Sequence, residues 1–417
     1  MQRYIVRKMG THRGSPRVYL DIAALSIAGF EPGKTYNRTV DKHKKRLTLE
    51  LETNGSYGVC KKARCDGSVT PVIDINSSET LGMFEGLEAI RIVFQQGKIM
   101  ILPIASEMKR VERLKRLSAN MDAGVITTAG ISFGGGVFDH AAHNGLNDAG
   151  VASTLAMANE IDEGLLEHAS EHNDVWSANT IGIAAPMQEL VQDAAAMARL
   201  PQVDVFCGGV PCSGASKAGK SKRGLEMMEA HPLVGHLIAS ALMIVNRVNP
   251  AVCVIENVVP YSETASAQIL RQHLRDSGYD VQETVLAAQD FGCLENRVRW
   301  FLVATTRGIN MDLQNLAPTV REVKTLASVL EDIGPSAEDW RTFDYLKTKE
   351  RRDASKGNSF SMQVVTPDST SCPTLRKGYN KGGSTDPLLA HPTNPDLLRQ
   401  LTVGEHARDE GSARTSG

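Results

Sequence analysis

Long apolar runs are missing from this 417-residue chain. No stretch reaches the ~20 residues of a membrane-spanning helix. The N-terminus MQRYIVRKMG lacks the apolar segment of a secretory signal. Charge of one sign is missing too. Against 46 Lys and Arg stand 48 Asp and Glu, a formal net charge of −2. No global basic field announces a polyanionic partner, so any such face must be built from local patches. Cysteine is scattered, and its total of seven is odd, which fits a reducing cytoplasm and excludes a disulfide framework. Cys60 and Cys65 have no second ligand pair nearby, so no metal is expected. Aromatics are sparse at 5 %, but 41 % apolar and 23 % charged residues describe an ordinary globular chain. The length suffices for two or three domains.

Residues 1–105 carry an internal duplication. Pro16 to Phe30 is followed by the alternating runs TYNRTV and RLTLEL. Pro71 to Phe84 is followed by LEAIRIVF and KIMILP. Asp21 matches Asp74, and Phe30 matches Phe84. Each half predicts a strand, a short helix, a loop and a two-strand hairpin. Two such halves can share one small β-barrel, which resembles the swapped-hairpin barrels of bacterial transition-state regulators. A DNA-binding role and a scaffold or dimerisation role both remain open. Residues 106–122 predict a solvated connecting helix.

From residue 123 to 305 apolar strands alternate with helical stretches, the texture of an α/β domain with a mostly parallel sheet. The strands are VITTAGISF, VASTLAMAN, VDVFC and AVCVIE, then the antiparallel pair DVQETVLAA and RVRWFLVAT. Residues 306–395 lose this rhythm and read as a small irregular region. Residues 396–417 form a last motif and a polar tail expected to be disordered.

Ligands of open α/β sheets bind at the carboxyl ends of the strands, and each end here carries unusual chemistry. The first runs into Phe133-Gly134-Gly135-Gly136, where glycine permits a tight turn and close approach to a ligand. The second ends in Asn159-Glu160-Ile161-Asp162; an acid at that spacing suits ribose hydroxyls, the alternative being a surface acid. The third ends in Gly208-Gly209-Val210-Pro211-Cys212. A cysteine in such a turn, with Lys217, Lys220, Lys222 and Arg223 following, is a candidate nucleophile or a buried inert thiol. The fourth ends in Glu256-Asn257, either a working carboxylate or a helix cap. Arg297 and Arg299 alternate onto one face, suited to a phosphate, a carboxylate or a base carbonyl, or simply exposed.

The ordered set FGGG, NEID, GGVPCSG, VIENV and NRVRWF, with RQLTVGEHAR at 399–408, resembles the DNA (cytosine-5)-methyltransferase family over roughly residues 123–408. The resemblance implies a Rossmann-like sheet dependent on S-adenosyl-L-methionine, with 306–395 as target-recognition region. It implies that Cys212 attacks carbon 6 of a cytosine flipped out of double-stranded DNA. Glu256 would hold the ring nitrogen and amino group, Arg299 the base carbonyl, and Arg297 would support it. Phe133, Gly135, Glu160, Ile161 and Pro211 would surround the methyl donor. A cytoplasmic restriction-modification or phage setting follows from the same resemblance. The chain departs from the pattern at Ser213 and Glu295, where the family has Gln, at Thr180, where it has Asp, and at Val137, where a second glycine is usual.

Several rival readings remain. Gly214–Ser221 fits the phosphate-loop pattern G-x-x-x-x-G-K-[ST]. A catalytically decayed DNA-binding homologue and an RNA cytosine methyltransferase share most of the same residues. Amino-methyltransferases are disfavoured, since no [DN]-P-P-[YFW] occurs. The family's last helix, with its Asn-Ser/Ala-Val contact, finds no match after Arg408, so weak donor affinity and low activity are expected of the lone chain.

Overall fold

The structure, a computed structural model, describes residues 3–211, 215, 226–318, 324–376 and 378–409. The chain divides into two compact units, Met1–Lys115 with Asp276–Gly278, and Arg116–Arg275 with Tyr279–Gly417.

In the first unit the alternating segments form β1 (Arg3–Lys8), β2 (Gly10–His12), β3 (Ser15–Leu20), β4 (Thr35–Asp41) and β5 (Arg46–Leu51). Then come β6 (Tyr57–Gly58), β7 (Cys60–Ala63), β8 (Val69–Ile75), β9 (Ala89–Gln95) and β10 (Lys98–Pro103). Short helices Ala24–Ile27 and Ser78–Leu81 follow β3 and β8. Each half therefore has the same order of strand, helix and hairpin. The hairpins join through their second strands, with Ile99 opposite Leu49 and Ile101 opposite Leu47. The single strands pair with each other, Leu20 opposite Ile73. These two residues each precede the matching aspartates Asp21 and Asp74. Equivalent positions thus face one another, the pairing of a local two-fold. Strict alternation in β9 turns Ile90, Ile92 and Phe94 inward, and they pack with Leu20, Phe30, Leu47, Ile73 and Phe84 in one core.

Helix Ala105–Asp122 follows. It is not merely solvated, as its charge pattern suggests, because Arg113 is only 1 % exposed. Arg116, in the second unit, donates to the carbonyls of Val203 and Asn249 and lies 3.3 Å from the Asp204 carboxylate.

The second unit is built on β11 (Val125–Ile131), β12 (Ala152–Glu160), β13 (Ile181–Ala184), β14 (Val205–Gly208) and β15 (Val252–Val258), followed by β16 (Tyr279–Ala287), β17 (Glu295–Asn296) and β18 (Val298–Thr306). Seven of these form a sheet in the order β13-β12-β11-β14-β15-β18-β16. β11 is parallel to both neighbours, with Ile131 opposite Asn159 on one side and Gly208 on the other. Only β18 runs against the rest, pairing antiparallel with β15 and β16. The sheet matches the expected α/β class, with β13 as an additional edge strand. The core gathers Ile131, Met157, Phe206, Cys253, Ile255, Trp300 and Leu302 with the apolar face of helix Leu237–Val248. That helix stops at Asn249, which adopts a left-handed conformation (φ 45°) before Pro250, a residue unable to continue a helix.

The last region has short strands, the α-helix Asp344–Ser355 and its own core of Leu326, Val365, Leu375, Tyr379 and Leu389. Leu294 and Leu401, outside 306–395, join that core. The segment RQLTVGEHAR is a structural clasp. Arg399, 2 % exposed, and Glu405, fully buried, share two hydrogen bonds of 2.6 Å. Glu405 also accepts from the backbone N–H of Thr402 and Glu331. Burial alone would raise the Glu405 pKa, but Arg399 and these two N–H groups hold it below the ordinary value.

Arg399→Leu leaves the Glu405 carboxylate buried without its cation. The variant should lose about 3–5 kcal/mol in urea denaturation. Arg399→Leu with Glu405→Leu should recover part of that loss, with the N–H groups of Thr402 and Glu331 accounting for the remainder.

Candidate functional site

The carboxyl ends of β11, β14 and β15 converge where the strand order reverses, the place at which open α/β sheets bind ligands. A cavity of about 260 Å³ lies there. Phe133, Pro211, Glu256, Arg297 and Arg299 all line it, together with Ser132, Phe138, Asp139 and Asn257. The sequence scatters these residues over more than half of the second unit, and the sheet brings them together.

The turn after β11 is held from several sides. Ser132 takes a left-handed conformation (φ 49°), as do Gly134 and Gly136 (φ 56° and 77°); for a serine this conformation costs energy. The Glu160 carboxylate, at the end of β12, accepts from the N–H of Gly134 at 2.7 Å. It also accepts from the N–H groups of Ile161 and Asp162. Asn173 donates to the carbonyls of Gly135 and Gly136. A Cβ on Gly135 would meet nothing within 4 Å, so that face of the turn is open. Ile161, whose N–H bonds to Glu160, is 66 % exposed. Phe133 is 6 % exposed, and its ring packs edge-on against Trp176.

Cys212 and its neighbours Ser213 and Gly214 lie outside the described residues, as do Lys217, Lys220, Lys222 and Arg223 and most of the phosphate-loop pattern. The approach to Cys212 is described. Asn257, 3 % exposed, donates to the Val210 carbonyl at 2.9 Å and so ties this turn to the end of β15. Its side chain caps no helix. The described cysteines of the sheet are unsuited to attack. Burial drives the Cys207 thiol well above its ordinary pKa, with Asp139 and Cys253 adding to the rise. Burial pushes Cys253 up to about 12.

Glu256 and Arg299 form an ion pair at 2.7 Å inside the cavity wall. The expected continuous strand from Arg297 is interrupted. Arg297 falls between β17 and β18, its N–H bonded to the Glu295 carbonyl and its carbonyl to the Ala288 N–H. Its guanidinium is 3.7 Å from the buried carboxylate of Glu295. Glu295 in turn accepts from the Leu375 N–H, which moors the last region to this edge. Thr180, at the position where the family has Asp, donates its hydroxyl to the Leu155 carbonyl.

Asp139 went unnoticed in the sequence. It stands in the first turn of helix Val137–Asp148 and is 6 % exposed. Its Oδ1 has no hydrogen-bond partner among the described residues. Both carboxylate oxygens occupy the space of a missing side chain at Gly130, where a Cβ would meet them at 2.7 and 2.9 Å. Burial pushes the Asp139 carboxyl up to about 7. The one hint in the sequence is an acid placed where the inward face of a helix should be apolar.

The chain matches the C-5 cytosine-specific DNA methylase family over residues 140–411, a stretch that begins after the glycine turn. It is 33 % identical over 108 residues to the type II methyltransferase M.MspI of Moraxella sp, covering 25 % of each chain. It is 27 % identical over 222 residues to the type II methyltransferase M1.ScrFI of Lactococcus lactis subsp. cremoris, covering 51 % of this chain and 54 % of the relative. The matches thus span a quarter to about half of these relatives' length. The fold is similar to that of the S. pombe Dnmt2 methyltransferase, with a TM-score of 0.52 at 18 % identity, covering 70 % of this chain and 87 % of that one.

The Asp139 carboxyl gives a pH signature. Its folded pKa of about 7 stands above the ordinary 3.8, so the folded chain keeps a proton that the unfolded chain has released. Stability should therefore fall as pH rises between these values and stay reduced above the higher one. Asp139→Asn removes this contribution. The variant's stability relative to wild type should rise from pH 4 to pH 8 in urea denaturation; a constant difference would contradict a carboxyl whose pKa is raised by burial.

Proposed function

The chain belongs to the C-5 cytosine-specific DNA methylase family, and from this premise we propose that it methylates carbon 5 of cytosine in double-stranded DNA, using S-adenosylmethionine, in a restriction-modification or phage setting. The observation that carries the reading is the gathering of Phe133, Pro211, Glu256, Arg297 and Arg299 around one cavity at the sheet's switch point.

The residues present fit the donor. The open face of Gly135, the exposed Ile161 and the Glu160 carboxylate lie together at one turn. Glu160 accepts three backbone N–H groups and keeps lone-pair capacity for a ribose hydroxyl. When bound, S-adenosylmethionine supplies an electrophilic methyl group.

The chain's own residues then prepare the base. Carbon 5 is a poor nucleophile until a thiolate adds to carbon 6, so the Cys212 sulfur forms a bond there and electron density moves to carbon 5. Its assignment rests on its place directly after Pro211 within the family match. The Glu256 carboxyl holds ring nitrogen 3 and the amino group, and Arg299 the ring carbonyl. The ion pair between these two side chains presets their geometry before the base arrives. After transfer the carbon 5 proton leaves and the carbon–sulfur bond breaks, freeing Cys212. A stacked base cannot reach this cavity, so the cytosine must be flipped out.

Target choice is assigned to residues 306–395. Arg376 is tied to Asp386 at 2.7 Å, and Lys377 lies outside the described residues. A cavity of about 520 Å³ lined by Arg341, Tyr345, Asn380 and Lys381 offers polar groups to a nucleic acid.

DNA containing 5-fluorocytosine, which cannot lose its carbon 5 substituent as a proton, should be trapped covalently by the wild type with S-adenosylmethionine. Cys212→Ser should not trap it. Equal trapping by both sinks the assignment of the nucleophile; trapping on RNA alone sinks DNA as substrate; no trapping on either, with DNA binding intact, favours a decayed homologue. For Glu160, a donor analogue lacking ribose hydroxyls should bind the wild type more weakly by about 1–3 kcal/mol. Glu160→Ala should show no such difference. Because Glu160 also holds Gly134, only this double comparison separates ribose recognition from a loosened turn.

A further inference from the structure

We propose that Asp139 is the counter-charge for a cationic group of the methyl donor, a binding contact beyond those assigned above and resting on the S-adenosylmethionine reading. Three observations converge. Asp139 lines the cavity that also holds Phe133 and Glu256. Its side chain is buried, with Oδ1 meeting no donor among the described residues. The strand beneath has given up a side chain at Gly130 to seat both oxygens.

A buried carboxylate oxygen that meets no donor is costly, and a ligand that supplies a positive charge removes that cost. The nearby cations are committed elsewhere. Arg299 faces Glu256, and Arg297 faces Glu295. Among the described residues neither pairs with Asp139, so a positive charge brought into the cavity would complete it. The methyl donor brings two, the sulfonium and the α-ammonium. Its demethylated product keeps only the ammonium. A carboxylate in this low-dielectric seat therefore either discriminates donor from product, through the sulfonium, or anchors both, through the ammonium.

Charge pairing also predicts a proton. The carboxyl titrates near pH 7 before the donor enters, and a cation would stabilise its ionised form. The groups around it are the Cys207 thiol on β14, which burial keeps protonated, and Glu256, Arg297 and Arg299 on the cavity wall. Donor binding near pH 7 should therefore release a proton from Asp139.

The test is calorimetry on the full chain with S-adenosylmethionine and S-adenosylhomocysteine, in two buffers of different ionisation enthalpy. Wild type should bind the donor with proton release. Asp139→Asn, nearly isosteric, should bind it at least tenfold more weakly and without proton release. An equal loss for the product identifies the ammonium as the cation; a product affinity left unchanged identifies the sulfonium. Asp139→Ser serves as a second variant, with retained cooperative unfolding confirming that each variant is folded. Donor affinity and proton release unchanged in both variants overturn the pairing alone. No donor binding by the wild type overturns the donor reading, and the pairing with it.

Discussion

The site depends on one constraint, the parallel pairing of β11 with a neighbour on each side. Ile131 lies level with Asn159 and with Gly208, so three strand ends stop at one height. Because parallel strands need crossover connections, the chain leaves β11 towards one side and returns on the other, and a crevice opens between the two directions. The opposite ends of β11 and β14 are fastened by Asp204, fully buried, which accepts from the Thr127 N–H, the Thr127 hydroxyl and the Asn120 amide. With those ends fixed, the turns at the other ends have little freedom in where they begin.

Polar side chains at the crevice mostly have structural duties already. Glu160 secures the glycine turn, Asn257 secures the turn before Pro211, and Glu256 is set by Arg299. A site built this way needs little reorganisation when ligands arrive, because its acceptors and donors are already oriented. Asp139 differs from them. Its Oδ1 has no hydrogen-bond partner among the described residues, and its carboxylate sits in a space created by a glycine on the neighbouring strand.

The first unit obeys a different rule. Its two halves repeat one pattern, and equivalent strands meet each other, β3 with β8 and β5 with β10. Neither half could cover its own apolar face, since Leu20 and Ile73, or Leu47 and Ile101, belong to one shared core. Duplication here makes a single hydrophobic core out of two incomplete ones.

Periodicity and turn punctuation are legible from the residues alone. Alternation in LEAIRIVF and KIMILP marked a hairpin of the first unit, and apolar strands closed by Gly, Asn or Glu marked the parallel sheet, because side-chain period and turn chemistry are local properties. The residues at those strand ends were legible for the same reason. Other features depend on contacts between segments far apart in the chain. The edge strand β13 is only four residues long and mostly exposed, so it carries no pattern of its own and exists through its pairing with β12. The break at Arg297 follows from bonds to Ala288 and Glu295 that no periodicity foretells. Arg113 lies in a charged helix that reads as solvated and is buried, because the Ser277 carbonyl to which it donates comes from a distant segment of chain. Asp139 becomes exceptional only when helix Val137–Asp148 lays it over Gly130, since the cost of a carboxyl depends on what surrounds it in space.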